Sequence, residues 1–197
     1  MTMPQAIVPG FYGKLPGAGD FVQRRLPPAF VEVWDRHFAQ LVVHSREQLG
    51  AQWAAAYRNS GIRAFAIGAG VCGESAWAGV LGPGEDRVGR CFPLVIALPL
   101  LPAGVLDLAW YARAATVLTE VLTTRSLVAD AFDARLLRLA PDPDATEVPG
   151  RPCPPPGQAL WWGNDCAVLQ STGLLPAHDY LAWLAAADMT SLPQGSP

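Results

Sequence analysis

The sequence has little charge and no long uninterrupted apolar run. Charged residues make up 16% of the 197 residues and hydrophobic residues 51%, which excludes an intrinsically disordered chain. The longest uncharged apolar stretch, residues 91–106, contains Pro93, Pro99 and Pro102, so we expect no direct insertion into a membrane. The net charge is −3 and no basic run is present, so we expect no nucleic-acid partner.

Cysteine and histidine are also scarce. The four cysteines form no C-x-x-C pair, and neither His37 nor His44 has a carboxylate or a second histidine at i,i+4, so the sequence predicts no metal site and no cofactor. The first ten residues lack the basic and apolar segments of an export signal. We therefore expect reduced thiols and a cytoplasmic protein.

Apolar periodicity predicts an α/β protein with a mixed, largely antiparallel sheet. The predicted helices cover residues 28–49, 53–57, 106–125, 127–139 and 176–187, and the predicted strands cover 62–67, 76–81, 91–98, 159–162 and 166–170. The first two strands are separated by too few residues for a parallel crossover, so we expect them to be antiparallel neighbours. Ser45 falls on the apolar stripe of the first helix and is expected to face the core.

We expect one domain over residues 1–197. Its main part is 1–140, followed by a Pro-rich connector at 141–157 and by a strand pair and helix at 158–189.

Two motifs suggest a nucleotide site and a catalytic serine, but the residues around each motif do not fit that function. Gly68-Ala-Gly70-Val-Cys-Gly73 matches G-x-G-x-x-G but leads into a strand rather than a nucleotide-binding helix. Ser75 lies in Gly-Glu-Ser-Ala-Trp, where Trp77 replaces the second glycine of a nucleophile elbow. The sequence therefore predicts no catalytic residue.

The segment Asp86-Arg87-Val-Gly89-Arg90 is the most informative charged cluster, because it joins two apolar strands. We expect its arginines to pair with Asp20 and Asp35 in an ion-pair network that holds loops on the sheet, so Arg87→Ala should lower stability. A surface for a partner, or for phosphate or a nucleotide, is an open alternative.

The glycine-rich segment of residues 13–21 is a candidate docking loop. It carries the only lysine of the chain, Lys14, and lies next to the aromatic residues Phe11, Tyr12 and Phe21. If Lys14 is solvated, Lys14→Glu should disturb an acidic partner without affecting folding. The alternative is that all three rings are buried anchors, with Trp161 and Trp162 marking the docking region instead.

Three stretches of sequence carry a family resemblance. They are Gly-Phe-Tyr-Gly-Lys14-Leu-Pro-x-x-Gly19-Asp20-Phe21-Val with Trp34-Asp35; Gly79-Val-Leu-x-Pro-x-x-Asp86-Arg87-Val-Gly89-Arg90-x-Phe92-Pro93-Leu94; and Leu160-Trp161-Trp162 with Gly173-Leu174-Leu-Pro176. Together they resemble the TagF family of type VI secretion-associated proteins. Pro83-Gly84-Glu85 departs from the Pro-Ser-Val expected before the Asp-Arg pair.

The resemblance implies a three-layer α/β/α sandwich and a non-enzymatic, cytoplasmic repressor that acts after translation. The implied partner is a forkhead-associated scaffold protein of the type VI secretion system. The resemblance and the interpretation of the charged cluster mark these residues for partner binding or as motif positions: Lys14, Asp20, Phe21, Trp34, Asp35, Asp86, Arg87, Arg90, Trp161 and Trp162. The alternatives are a nucleotide- or phosphate-sensing module using Lys14, Arg87 and Arg90, and a structural subunit of the secretion apparatus.

Overall fold

The structure is a computed structural model that describes residues 7–100, 105–139, 150–163 and 167–189. Within them the strands are β1 (Gly10–Lys14), β2 (Phe21–Arg24), β3 (Arg63–Ile67), β4 (Ala76–Gly82), β5 (Leu94–Leu100), β6 (Val105–Asp107), β7 (Gly150–Pro152), β8 (Gln158–Trp162) and β9 (Val168–Thr172). The helices are α1 (Pro28–Leu49), α2 (Trp53–Arg58), α3 (Leu108–Thr123), α4 (Ala129–Leu136) and α5 (Ala177–Met189).

Seven of these strands form one sheet in the order β2-β1-β5-β4-β3-β8-β9. Each neighbouring pair is antiparallel, as is the separate pair of β6 and β7. The short link between β3 and β4 makes this pairing necessary, since a parallel crossover needs a dozen or more residues. The antiparallel sheet of an α/β fold is therefore confirmed, and among the described strands no parallel pair is present.

The core consists of two hydrophobic clusters, one on each face of the sheet. Alternate residues of a strand point to opposite faces, and accordingly Phe65 belongs to one cluster while Ala64 and Ala66 belong to the other. The first cluster includes buried residues of α1, α2 and α5, and the second includes those of α3 and α4. This division supports the expected three-layer sandwich, whose layering stays a prediction.

The C-terminal part of the chain is built into the same sheet. Strand β8 pairs with β3 along four residues, and α5 packs against α1 and α2. The segment expected to be a Pro-rich connector contains β7, which pairs with β6, while its residues 141–149 lie outside the described part. No helix within the described ranges is long and apolar enough to cross a membrane.

Helix α1 forms where its apolar stripe predicts it. It begins with Pro28, whose missing N–H costs nothing at a helix start, and ends at Gly50, which adopts a φ of 50°. Ser45 is fully buried on the core side, as the periodicity predicts. Its hydroxyl has a specific role beyond its small size: Oγ accepts a hydrogen bond from Trp53 Nε1 at 2.8 Å and donates one to the Val42 carbonyl at 3.1 Å.

We predict that Ser45→Ala lowers the free energy of unfolding by about 1–3 kcal/mol, because it leaves the Trp53 N–H buried without an acceptor. Chemical denaturation measures this change. Ser126→Ala is the control, since Ser126 is exposed and its replacement should change stability by less than about 0.5 kcal/mol. Equal stability of the two variants would contradict the role of the hydroxyl.

Candidate functional site

The sheet topology brings two of the sequence motifs together. Strand β1 pairs antiparallel with β5, with Gly10 opposite Ala97 and Tyr12 opposite Val95. The end of β1 at Lys14 therefore lies beside the start of β5, where the turn of residues 86–90 enters the sheet. The loop of residues 15–20 and this turn become neighbours although they are far apart in sequence.

A buried carboxylate lies at the centre of this junction. The Asp86 side chain has no exposed surface, and its Oδ2 lies 3.1 Å from Lys14 Nζ and 2.7 Å from Arg90 Nε. Its Oδ1 accepts the backbone N–H groups of Val88 at 3.0 Å and Arg90 at 2.9 Å, as in an Asx-type turn. We call Lys14, Asp86 and Arg90 the charged triad.

Hydrogen bonding overcomes the desolvation of this carboxylate. Burial by itself would raise the pKa of Asp86, but the Arg90 and Val88 backbone N–H groups and the Lys14 and Arg90 side chains stabilise the ionised form. Together they lower the pKa of Asp86 to about 2. The Asp86 carboxylate is therefore ionised throughout the physiological pH range.

The same segment holds the loop of residues 15–20 in place. The Arg90 guanidinium donates through Nη2 to the Gly19 carbonyl, and the Arg87 backbone N–H donates to the Ala18 carbonyl at 2.8 Å. The Arg87 side chain lies against Gly19, where a Cβ would come within 2.9 Å of Nη2. A glycine at position 19 is what permits this close approach.

An aromatic group lies beside the triad. Lys14 Nζ lies 4.0 Å from the centroid of the Phe21 ring, which stacks on Tyr12 at 5.4 Å and meets Phe92 edge-on at 5.0 Å. The Tyr12 hydroxyl donates to Asp35 Oδ1 at 2.5 Å and so ties β1 to α1. Burial, and then the Asp35 carboxylate, raise the pKa of Tyr12, which keeps the hydroxyl protonated as a donor.

The structure corrects the expected ion pairs. Neither arginine of the turn pairs with Asp20 or Asp35: Arg90 pairs with Asp86, while Asp20 Oδ1 lies 3.4 Å from Lys14 Nζ. The expectation of a solvated lysine is also wrong, since Lys14 is 4% exposed. Lys14→Glu would bring a carboxylate next to Asp86, so it would test folding rather than docking.

Three expected site residues lie in the core. Trp34, Trp161 and Trp162 are 0%, 3% and 7% exposed, and Trp34 packs against Phe65 of β3 at 5.1 Å between ring centroids. Of the three rings near the docking loop, Phe11 and Tyr12 are buried, and only Phe21 is substantially exposed, at 42%. The tryptophans and these two rings stabilise the fold rather than offering a surface.

Five side chains of the two motif segments are exposed at this junction. We define the motif rim as the exposed residues Asp20, Phe21, Arg87, Val88 and Arg90. Sequence reasoning missed Val88, which is 66% exposed at the tip of the turn. The Asp-x-x-Gly spacing of Asp86 and Gly89 is the signal that could have identified the turn, because Asp caps such turns and Gly supplies a positive φ.

Within residues 7–100, 105–139, 150–163 and 167–189, no group of three or more His, Cys, Asp or Glu side chains is placed to hold a metal ion.

We predict that stability depends on Lys14 rather than on Arg87. Lys14→Met leaves the buried Asp86 with Arg90 as its remaining cationic partner. The free energy of unfolding should therefore fall by an amount near the lower end of roughly 3–5 kcal/mol. Arg87→Ala is the matched control, because Arg87 is exposed and its loss should change stability by less than about 0.5 kcal/mol. Thermal and chemical denaturation measure both. A larger loss from Arg87→Ala than from Lys14→Met would contradict this assignment.

The Asp86 pKa gives a second prediction. Its folded value of about 2 lies below the value of about 3.9 for an unfolded Asp, so its contribution to stability is fully present above pH ~4. That contribution is lost as the pH falls through about 2. Titration of the Asp86 carboxyl carbon by NMR should show a midpoint well below 3.9; a midpoint at or above that value would contradict a hydrogen-bonded, ion-paired carboxylate.

Two comparisons with known proteins give matches to this chain. A family model described as "TagF N-terminal domain, Type VI secretion system-associated" matches residues 10–139, more than half of the chain. The crystal structure of PA0076 from Pseudomonas aeruginosa PAO1 is similar, with a TM-score of 0.76 and 32% sequence identity over 96% of this chain and 97% of that one. A search of curated proteins finds no match.

The family match spans β1 to α4 and contains the charged triad and the motif rim, and the structural match extends over β8, β9 and α5 as well. On this evidence the chain belongs to the TagF N-terminal domain family, which is associated with the type VI secretion system.

Proposed function

We propose that this protein is a non-enzymatic repressor of the type VI secretion system that acts after translation by binding a partner protein. The proposed partner is the forkhead-associated scaffold protein of that system, as the family resemblance implies. The proposed compartment is the cytoplasm, and the free thiols of Cys72, Cys91 and Cys153 are in keeping with it.

The observation that carries the proposal is the division of the motif into a buried and an exposed part. Lys14 and Asp86 are 4% exposed, whereas Phe21 and Val88 are 42% and 66% exposed. Architecture explains the buried part and the packed face of the Phe21 ring, but it gives no reason for the exposed face of that ring or for the exposed Val88 between Arg87 and Arg90. Aromatic residues and arginines are the side chains enriched where proteins bind one another.

Preorganisation adds to the suitability of the motif rim for binding. The Asp86 carboxylate holds the turn through two backbone N–H groups, and Arg90 and Arg87 hold the loop of residues 15–20. A surface that is already ordered loses less conformational entropy when a partner binds.

The chemistry of the motif rim favours recognition over catalysis. Its side chains are one carboxylate, two guanidinium groups, a phenyl ring and an isopropyl group. The nearby Cys91 thiol is partly buried, and burial raises its pKa, so it stays in the weakly nucleophilic protonated form.

Two other functions were raised by the sequence. A phosphate-sensing site made of Lys14, Arg87 and Arg90 is disfavoured, because Lys14 and Arg90 are already held by Asp86. A structural subunit of the apparatus would co-purify in fixed stoichiometry with assembled secretion structures, whereas a repressor would bind the scaffold protein and would be absent from those structures.

We predict that Val88→Asp weakens binding to the purified scaffold protein by at least about tenfold, because it adds a charge at the most exposed apolar side chain of the motif rim. The control is Val43→Asp, since Val43 is also an exposed valine (56%) but lies on the outer side of α1. Both variants should fold as the wild type does, which thermal denaturation checks.

The cellular measurement is secretion during overproduction of each variant. Wild type and Val43→Asp should repress secretion, and Val88→Asp should not. Full repression and unchanged scaffold binding by Val88→Asp would contradict a docking role for the motif rim.

A further inference from the structure

A polar cleft lies beside the motif rim and shares only Arg87 with it. Its volume is about 630 Å³, which lies within the usual range for small-molecule sites. Three arginines from separate elements line it: Arg58 at the end of α2, Arg87 in the turn, and Arg125 just after α3. Glu85 and Asp86 are the acidic residues of its lining.

Both carboxylates of the lining are already paired. Glu85 is held by Arg58 through contacts of 2.7 and 3.2 Å, and Asp86 is held by Lys14 and Arg90. Arg87 and Arg125 have no carboxylate partner among the residues that the structure describes, namely 7–100, 105–139, 150–163 and 167–189. The cleft therefore presents two guanidinium groups without internal counter-charges.

The backbone of one of these residues is held in place. The Arg87 backbone N–H donates to the Ala18 carbonyl, and the end of its side chain lies near Gly19. The planar fork of a guanidinium matches an oxyanion through paired N–H donors. Two such groups carry a charge of about +2, which complements a phosphate group, with its charge of about −1.5 to −2, better than a single carboxylate.

We infer that this cleft is a binding site for a phosphate group, with Arg87 and Arg125 as its principal ligands and Arg58 at its border. The site is distinct from the Lys14, Arg87 and Arg90 set, because only Arg87 is common to both. It does not depend on the scaffold partner, since it is defined by groups of this chain alone.

The test is an NMR titration of the full chain labelled with ¹⁵N. Sodium phosphate should produce saturable shifts of the Arg87 and Arg125 Nε–Hε signals and of the Gly89 amide, whereas sodium chloride at equal ionic strength should not. R87Q and R125Q should each weaken phosphate binding by about tenfold or more. R113Q is the matched control, since Arg113 is exposed on α3 outside the cleft, and it should bind as the wild type does.

Two further probes identify the source of the phosphate group. Phosphothreonine and ATP are titrated in the same way. Tighter binding of phosphothreonine at Arg87 and Arg125 would indicate a phosphorylated side chain as the source, and tighter binding of ATP would indicate a nucleotide. The inference is overturned if none of the three phosphate compounds gives saturable shifts, if chloride gives the same shifts, or if R87Q and R125Q bind phosphate as well as R113Q does.

Discussion

The constraint on which the rest of the site depends is the burial of one charge. Asp86 has no exposed side-chain surface, and an ionised carboxylate in such a place is tolerated only when it is paired and hydrogen-bonded. Lys14 supplies the pairing from β1, and Arg90 supplies it from the same turn. The turn, the end of β1 and the loop of residues 15–20 therefore have to adopt their positions together.

This constraint explains how one short motif can serve both architecture and the proposed recognition of a partner. The charged triad orders the backbone from inside, and the exposed residues of the motif rim take their positions from that backbone. Arg90 belongs to both the triad and the rim, because its Nε binds the buried Asp86 while its side chain is 58% exposed. The family match includes both the triad and the rim, which connects the proposed docking surface to the type VI secretion association of the family.

Much of the fold follows from local patterns, and most of the site does not. The apolar stripe of α1, the position of Ser45 and the antiparallel pairing of β3 with β4 could be predicted because each depends on periodicity or on the length of a connection. The ion pair of Asp86 with Lys14 could not be predicted, because it depends on the neighbouring positions of β1 and β5 in the sheet. The cleft at Arg125 was missed for the same reason, because α3 and the turn approach each other only in the folded chain.

A double-mutant cycle between Lys14 and Asp86 tests the central claim most directly. Each of Lys14→Met and Asp86→Asn leaves a buried charge without its main partner, whereas the double variant removes both charges and leaves the exposed Arg90 to water. The free energies of unfolding should therefore be non-additive, with the double variant more stable than the sum of the single losses by about 1–3 kcal/mol. Additive losses within about 0.5 kcal/mol would show that the two charges do not stabilise each other and would contradict this account.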